Sequence, residues 1–292
     1  MTRMRHWLSM VKFSHSIFAL PFAMQGAWLA SGGVPALWNL LLIIVAAVAA
    51  RSAAMAFNRL VDRRIDASNP RTAGREIPAG ILSPAAVGAS VLIASGIFIA
   101  ASFGLNTLAG QLSPAVLAVL LGYSLVKRFS WAVHLVLGLS LALAPLGAWI
   151  AVRGNFDGDL RPILALALGV VTWVAGFDLI YSCQDAQFDV DTGLQSIPAR
   201  FGKARALLMS RVLHVLTVAA LLVVHQTAGL SWIYLLAILV VACLLAYEQS
   251  LVKPDDLSRV DLAFFTLNGW VGIALFLGLV CDMGFLNSGI IS

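Results

Sequence analysis

The chain has 292 residues, of which 60% are apolar and 11% charged, and its mean hydropathy is +0.92. A water-soluble fold of this length needs more polar surface than this composition supplies, so we predict a helical membrane protein. The net charge of +5 does not indicate a nucleic-acid partner, because no stretch of the sequence interleaves basic residues with aromatic ones in a soluble segment.

Nine apolar runs follow one another along the chain, and each is close to the roughly 20 residues that a helix needs to cross a bilayer. The runs lie at 13–33, 36–57, 84–103, 106–126, 132–152, 162–184, 206–226, 229–247 and 260–283. Short connections rich in Arg, Pro, Gly or Asp separate them. We therefore expect an all-α, polytopic membrane protein with about nine transmembrane helices in one bundle, forming a single domain over residues 1–292.

Two of these runs have unusual features. The first follows Arg3, Arg5 and Lys12, as in a signal peptide, but it lacks a clear cleavage site and eight further runs follow it. We interpret it as a retained first helix. The fourth contains Pro114, which is expected to delay the start of the helix or to kink it.

The distribution of Lys and Arg predicts the orientation of the bundle. If the N-terminus is cytoplasmic, seventeen of the nineteen basic residues fall on the cytoplasmic side, and only Arg153 and Arg161 fall on the other. Because cytoplasmic loops are enriched in Lys and Arg, we expect the N-terminus inside and the C-terminus outside. The basic composition then needs no polyanionic partner to explain it.

The first acidic cluster lies at the end of the second run. Asn58, Asp62 and Asp66 are spaced by four residues, so at about 100° per residue they form one polar stripe over two helical turns. This stripe is predicted to emerge from the membrane on the Arg-rich side.

The second acidic cluster lies at the end of the sixth run, on the same predicted side. Asp178, Asp185 and Asp189 form an even narrower stripe, with Tyr181 beside it. Asp178 lies seven residues, or about 10 Å of helix rise, deeper than Asp185. A carboxylate at that depth in a membrane protein indicates a functional site.

Paired carboxylates on two helices need a cation to offset their repulsion. Oxygen ligands without His or Cys favour Mg²⁺, which usually bridges to substrate phosphates. The sequence therefore predicts a Mg²⁺-diphosphate site, with cations from Lys127 and Arg128 at the end of the fourth run to bind diphosphate oxygens. The alternative is that the acids pair with arginines in a solvated loop, for which the candidates are Arg59, Arg63, Arg64 and Arg75.

These residues together resemble the UbiA-type intramembrane prenyltransferases. The first motif of that family, NDxxDxxxD, matches Asn58, Asp62 and Asp66, although Arg59 replaces the Asp that many members have after the Asn. Its second motif, DxxYxxxDxxxD, matches the second cluster, and its YxxxK element matches Tyr123 and Lys127. The opening segment around 12–22 and Arg59 look most like a branch of 4-hydroxybenzoate polyprenyltransferase-like proteins, which includes the prenyltransferase of the futalosine route to menaquinone.

The resemblance implies transfer of a polyprenyl group from a prenyl diphosphate to an aromatic hydroxy acid in quinone biosynthesis, at the cytoplasmic face of the cell's inner membrane. Asp62, Asp66, Asp185, Asp189 and Asn58 are then expected to bind Mg²⁺. Diphosphate is expected to contact Lys127, Arg128, Tyr123 and Arg63. Asp178 and Tyr181 are the expected catalytic residues, and acceptor-binding candidates are Arg59, Lys12 and His15.

Three other functional classes fit the sequence less well. Intramembrane acids also mark transporters and ion pathways, but those place charges near the midplane of several helices, whereas these lie mainly at one face. The pattern of CDP-alcohol phosphotransferases is absent from the sequence, and a purely structural membrane protein has no need for two acidic stripes. His134 shares no spacing with other histidines and is given no role, and the three cysteines are expected to be buried free thiols.

Overall fold

The computed structural model describes residues 6, 7, 10 and 19–287. Within them the chain is helical and contains no β-strand. The helices are α1 (Leu20–Ser31), α2 (Leu37–Val61), α3 (Arg63–Ser68), α4 (Pro84–Leu105), α5 (Thr107–Val126), α6 (Val133–Arg153), α7 (Arg161–Ser182), α8 (Ala186–Thr192), α9 (Ile197–Phe201), α10 (Lys203–Thr227), α11 (Trp232–Ser250) and α12 (Asn268–Asn287), the last preceded by a π-helical segment, Leu262–Leu267.

Eight of these helical segments are long and apolar enough to cross a membrane. They are α2, α4, α5, α6, α7, α10, α11 and the segment Leu262–Gly284. The described part of the first predicted run is the twelve-residue α1, and residues 11–18 lie outside the described part of the chain. The all-α membrane fold is therefore confirmed, whereas the count of nine helices and the orientation of the termini stay predictions.

Polar side chains define where several spans begin. Ser83 accepts a hydrogen bond from the backbone N–H of Ala86 at the start of α4, and Asn106 accepts one from Ala109 at the start of α5. Because Asn106 caps α5, this helix begins at Thr107 and continues through Pro114, without the late start that the sequence suggested.

Helix α7 lies at the centre of the bundle, between α6 and α10. Small residues allow the close approach on both sides. A Cβ at Gly138 of α6 would lie 2.4 Å from the carbonyl oxygen of Val171, and one at Gly176 would lie 2.3 Å from the ring of His214. Membrane helices commonly use small residues in this way, because backbone contact substitutes for the missing hydrophobic driving force.

Each acidic motif spans a junction between a long helix and a short one. Helix α2 ends at Val61 and α3 begins at Arg63, with Asp62 between them at φ −89° and ψ 0°. Helix α7 ends at Ser182 and α8 begins at Ala186, with Asp185 as its N-cap residue. The predicted straight stripes are thus interrupted where each chain segment leaves the packed bundle.

The cysteine prediction is only partly correct. Cys183 is a buried free thiol at the end of α7, but Cys243 and Cys281 are free and exposed on the surfaces of α11 and α12. In long apolar helices of a membrane protein, such exposed faces contact lipid in place of other helices.

Candidate active site

The first motif centres on Asp62, whose side chain is only 1% exposed. Its Oδ2 accepts hydrogen bonds from Lys127 Nζ at 2.6 Å and from Asn58 Nδ2 at 3.1 Å. Its Oδ1 accepts one from Arg128 Nη2 at 3.0 Å. A buried carboxylate is stable only with such partners, and here α2 and the end of α5 supply them together.

Asp66 is also buried, and a single arginine pairs with it. Arg75 Nη1 donates to Asp66 Oδ1 at 2.6 Å, and Thr72 Oγ1 donates to the Asp66 carbonyl oxygen at 3.0 Å. Asp66 Oδ2 is buried without a hydrogen-bond partner among the described residues. The pairing with Arg75 that the sequence left open does occur, but in a largely buried site and not in a solvated loop.

The turn after the first motif reaches directly to the second motif. Arg71 Nε donates to Asp185 Oδ1 at 2.9 Å, Arg71 Nη2 also donates to Asp185, and Asn69 Nδ2 donates to Asp185 Oδ1 at 3.1 Å. Arg71 Nη1 donates to the Tyr181 hydroxyl at 3.0 Å. Burial alone would lower the pKa of Arg71, but the hydrogen bonds to Asp185 raise it above its ordinary value. The two acidic motifs therefore converge, 110 or more residues apart in sequence.

Asp189 lies on α8 beside the loop that follows it. Ser196 Oγ donates to Asp189 Oδ2 at 2.7 Å. Burial raises the pKa of Asp189, and the negative charge of Asp185 adds to the rise while the Ser196 hydroxyl opposes it. The same loop contacts the end of α5, because the backbone N–H of Gln195 donates to the Lys127 carbonyl oxygen at 2.7 Å.

Asp178 has a partner that the sequence did not suggest. His134 Nδ1 lies 2.7 Å from Asp178 Oδ2, and the backbone N–H of Ile197 donates to His134 Nε2 at 3.3 Å. The His134 side chain is 3% exposed and that of Asp178 20% exposed. The pair joins α6 to α7 across 44 residues of sequence, so no local spacing could have revealed it.

A cavity of about 1070 Å³ begins beside the paired acids and extends through the bundle. Along α2 it is lined from Ile43 to Arg59, which corresponds to about 24 Å of helix. Its walls are mainly apolar. At its polar end are Asn58, Arg71, Arg75 and Tyr181, which contact the acids, whereas the five aspartates themselves do not line it.

Three aromatic rings lie together next to this polar end. The ring centroids of Tyr181 and Phe264 are 4.2 Å apart, and those of Phe177 and Phe264 are 5.2 Å apart. All three residues line the cavity, and Phe264 belongs to the π-helical segment. They form the wall nearest to the ion pair between Arg71 and Asp185.

Two arginines with a buried Nε atom also line the cavity. Arg59 is 6% exposed, and its Nε has no hydrogen-bond partner among the described residues. The same is true of the Nε of Arg51, which lies eight residues deeper in α2. Arg51 lies within the second predicted run, 36–57, but hydropathy does not show that its side chain lines a cavity. Tyr123 lines the same region.

The remaining predicted residues divide into two groups. Arg63, at the start of α3, donates through Nη1 to the Leu60 carbonyl oxygen at the end of α2 at 2.8 Å, and the structure does not bring it to the acids. Lys12 and His15 lie outside the described residues.

The carboxylate oxygens of the two motifs are suitable ligands for a hard cation, although they are now paired with basic side chains. Among the described residues no three His, Cys, Asp or Glu side chains lie close enough to bind one metal ion together. The acids nevertheless offer carboxylate oxygens only, and Asp66 presents one buried oxygen without a partner. Such a set fits Mg²⁺ if the arginines and lysine exchange partners when it binds.

The eight apolar spans define a multi-pass membrane protein. Its acids and cations gather at one end, beside a long apolar cavity, and this arrangement defines a site for a charged group attached to an apolar chain. Residues 19–270 match the UbiA prenyltransferase family. The chain belongs to this family, as the motifs indicated.

Named relatives and solved structures agree with this assignment. The 4-hydroxybenzoate octaprenyltransferases of Aeromonas salmonicida and Hahella chejuensis are both 32% identical to the chain, covering 87% and 88% of it and 86% and 84% of their own lengths. The apo structure of a UbiA homolog from Aeropyrum pernix K1 is 37% identical, with a TM-score of 0.84, and covers 92% of this chain and 98% of that one. A UbiA homolog from Archaeoglobus fulgidus bound to GPP and Mg²⁺ has the same fold at 17% identity, with a TM-score of 0.70 over 94% of this chain and 99% of that one.

Proposed function

We propose that this prenyltransferase transfers a polyprenyl group from its diphosphate to an aromatic hydroxy acid, 4-hydroxybenzoate or a dihydroxynaphthoate, in quinone biosynthesis. The observation that carries the proposal is the junction between the paired acids and the apolar cavity. A prenyl diphosphate has the matching division into a highly charged head and an apolar tail. The octaprenyltransferase relatives support the choice of an aromatic acid as acceptor.

The diphosphate end of the substrate belongs at the acids. We assign the metal ligands to Asp62, Asp66, Asp185 and Asp189, with Asn58 assisting. When bound there, Mg²⁺ would stabilise the negative charge that develops on the leaving diphosphate.

Four basic side chains that now pair with these acids lie where the diphosphate oxygens would be. Lys127 and Arg128 contact Asp62, Arg75 contacts Asp66, and Arg71 contacts Asp185. Guanidinium groups bind phosphate oxygens in the same fork-like geometry that they use for carboxylates. We therefore add Arg71 and Arg75 to the predicted diphosphate-binding residues.

The isoprenoid tail fits the cavity between the helices. Its apolar lining excludes water, so the allylic cation that forms when the C–O bond breaks would react with an arene and not with water. Phe177, Tyr181 and Phe264 line the cavity as one cluster, and aromatic rings attract cations.

The acceptor requires a cation for its carboxylate and a base for its hydroxyl. Arg59 and Arg51 line the cavity, each with a buried Nε that lacks a partner among the described residues, so they can bind a carboxylate. Asp178 precedes Tyr181 by one turn and keeps one carboxylate oxygen clear of His134, and it would accept a hydrogen bond from the phenol. That contact raises the electron density of the ring at the carbon that forms the new bond.

The cellular setting follows from the same assignment. The protein is multi-pass, and seventeen of its nineteen basic residues lie on the side of the acids in the predicted topology. We place the active site at the cytoplasmic face of the inner membrane, with the bilayer as the source of the prenyl substrate. The net positive charge then reflects topology, and no nucleic-acid partner is proposed.

Activity of the purified protein tests the function. With Mg²⁺, a prenyl diphosphate and 4-hydroxybenzoate or 1,4-dihydroxy-2-naphthoate, the wild type should form a prenylated acid that mass spectrometry detects. EDTA, Asp62→Ala or Asp185→Ala should abolish it, whereas Asp159→Ala, which removes an exposed acid paired only with Arg161, should not. Full activity of the two site variants would overturn the metal assignment. Mg²⁺-independent solute flux in vesicles, without product, would favour a transporter.

A further inference from the structure

The pairing of His134 with Asp178 defines which nitrogen of the imidazole carries the proton. The backbone N–H of Ile197 is a donor that points at His134 Nε2 over 3.3 Å, so Nε2 must act as an acceptor. A neutral imidazole with an acceptor at Nε2 carries its hydrogen on Nδ1. Nδ1 then donates to Asp178 Oδ2 over 2.7 Å.

This arrangement orients the Asp178 side chain. One of its two carboxylate oxygens is committed to the hydrogen bond from His134. The other oxygen, Oδ1, makes no hydrogen bond to a described residue, and the side chain remains 20% exposed. The exposed oxygen is therefore the one that can contact a ligand.

The donor that defines the tautomer comes from the loop of the second acidic motif. Ser196, the residue before Ile197, donates through its hydroxyl to Asp189 at 2.7 Å and also caps the short helix α9. Of these two consecutive residues, Ser196 thus contacts the proposed metal ligand Asp189, and Ile197 contacts His134. The orientation of the Asp178 carboxylate depends on the same loop that positions Asp189.

We infer that His134 is a positioning residue for the transfer reaction: as the Nδ1–H tautomer imposed by Ile197, it orients the Asp178 carboxyl group toward the acceptor hydroxyl. This inference rests on the proposed function for the identity of the acceptor, but the hydrogen-bond arrangement itself does not. His134 is buried at 3% exposure and contacts substrate only through Asp178.

The kinetic test uses three substitutions at one position. His134→Ala removes the donor and should lower kcat about tenfold to a hundredfold, as expected for a hydrogen bond to a charged group, while KM for the prenyl diphosphate stays within about twofold. His134→Asn places an amide N–H near the position of Nδ1 and should recover most of the loss. His134→Gln places its amide nearer Nε2 and should not.

Equal kcat in the wild type and His134→Ala would overturn the inference. It would also be overturned if all three variants were equally impaired, or if they lost Mg²⁺-dependent binding of a non-hydrolysable prenyl diphosphate analogue in parallel with kcat, because both results indicate a purely structural role.

A second measurement does not depend on turnover. In protein labelled with ¹⁵N-histidine, the His134 signal, identified by its loss in His134→Asn, should show protonated Nδ1 and unprotonated Nε2 at neutral pH. Asp178→Ala should weaken that preference. The opposite tautomer in the wild type would refute the inference even if prenyl transfer is observed, whereas a correct tautomer without any prenyl transfer would refute only the proposed function.

Discussion

At the scale of single residues, the acids were predictable and their partners were not. The spacing of Asp62, Asp66, Asp185 and Asp189 follows from helical periodicity, which acts over a few residues. The contacts from Arg71 and His134 join segments 114 and 44 residues apart, and only the packed bundle creates them. Arg51 falls inside the second predicted run, 36–57, but no spacing in the sequence indicates that it lines the cavity.

Arg59 gives a prediction about acceptor selectivity. Arg59→Met keeps the apolar stem but removes the group that would bind a carboxylate. We expect KM for 4-hydroxybenzoate to rise about tenfold or more, the usual effect of losing a hydrogen bond to a charged group, with little change in KM for the prenyl diphosphate.

An acceptor without a carboxylate provides the control for this variant. Turnover of a simple phenol should be equal in the wild type and Arg59→Met. If the variant is equally impaired with both acceptors, Arg59 acts on folding or on the diphosphate and does not bind the acceptor carboxylate.

At the scale of elements, the long helices were predicted to within a few residues, whereas the short ones were not. Hydropathy identifies α2 and α7 as spans, but it contains no signal for the breaks at Asp62 and Cys183–Asp185, where new short helices begin. The π-helical segment was missed for the same reason. Asn268 directly follows this segment, and its side chain donates to the carbonyl oxygens of Ala263 and Phe264 at 3.0 and 3.3 Å.

The π-helical segment gives a prediction about the proposed allylic cation, which can react either with the arene or with water. Phe264→Leu removes one ring from the wall beside the proposed cation, and Asn268→Leu frees the carbonyl groups that hold this segment. Both variants should raise the ratio of free prenol to prenylated acid. The ratio is measured per turnover, so a lower amount of folded enzyme does not change it. Trp270→Leu, on an exposed face of α12, should leave it unaltered.

The close helix contacts predict a difference between glycines. Gly138→Ala would place a methyl group 2.4 Å from a backbone oxygen of α7, whereas Gly122→Ala in α5 meets no atom within 4 Å. Overpacking of this kind costs about 1–3 kcal/mol, so the first variant should aggregate at a lower temperature on heating in detergent. The second should behave like the wild type, and equal stability of the two would contradict the backbone contact.

At the scale of the whole molecule, composition was sufficient for the class of fold, but not for the helix count or the orientation. Hydropathy shows how long each apolar segment is, and eight described helical segments are long and apolar enough to cross a membrane. The direction of the bundle rests on the charge distribution alone, and a labelling experiment can measure it.

In a variant without its three native cysteines, Asp157→Cys and Asp255→Cys introduce exposed thiols at opposite ends of the bundle. A membrane-impermeant maleimide should label Asp157→Cys in right-side-out vesicles and Asp255→Cys only in inverted ones. The reverse pattern would place the acids outside.

The ion pairs also predict how the two ligands of the site depend on each other. Three of the proposed metal ligands, Asp62, Asp66 and Asp185, pair with four bases, so Mg²⁺ alone would displace bases from the acids, and diphosphate alone would draw the bases away and leave the carboxylates unscreened. Together, Mg²⁺ and a prenyl diphosphate analogue should raise the melting temperature by more than the sum of their separate effects. A shift that is fully produced by Mg²⁺ alone would contradict this coupling.

This coupling would have a physiological consequence. An enzyme that binds magnesium and the diphosphate ester only together would not retain its lipid substrate when the cell is short of magnesium. The prenyl donor then remains available in the bilayer to the other enzymes that draw on the same pool.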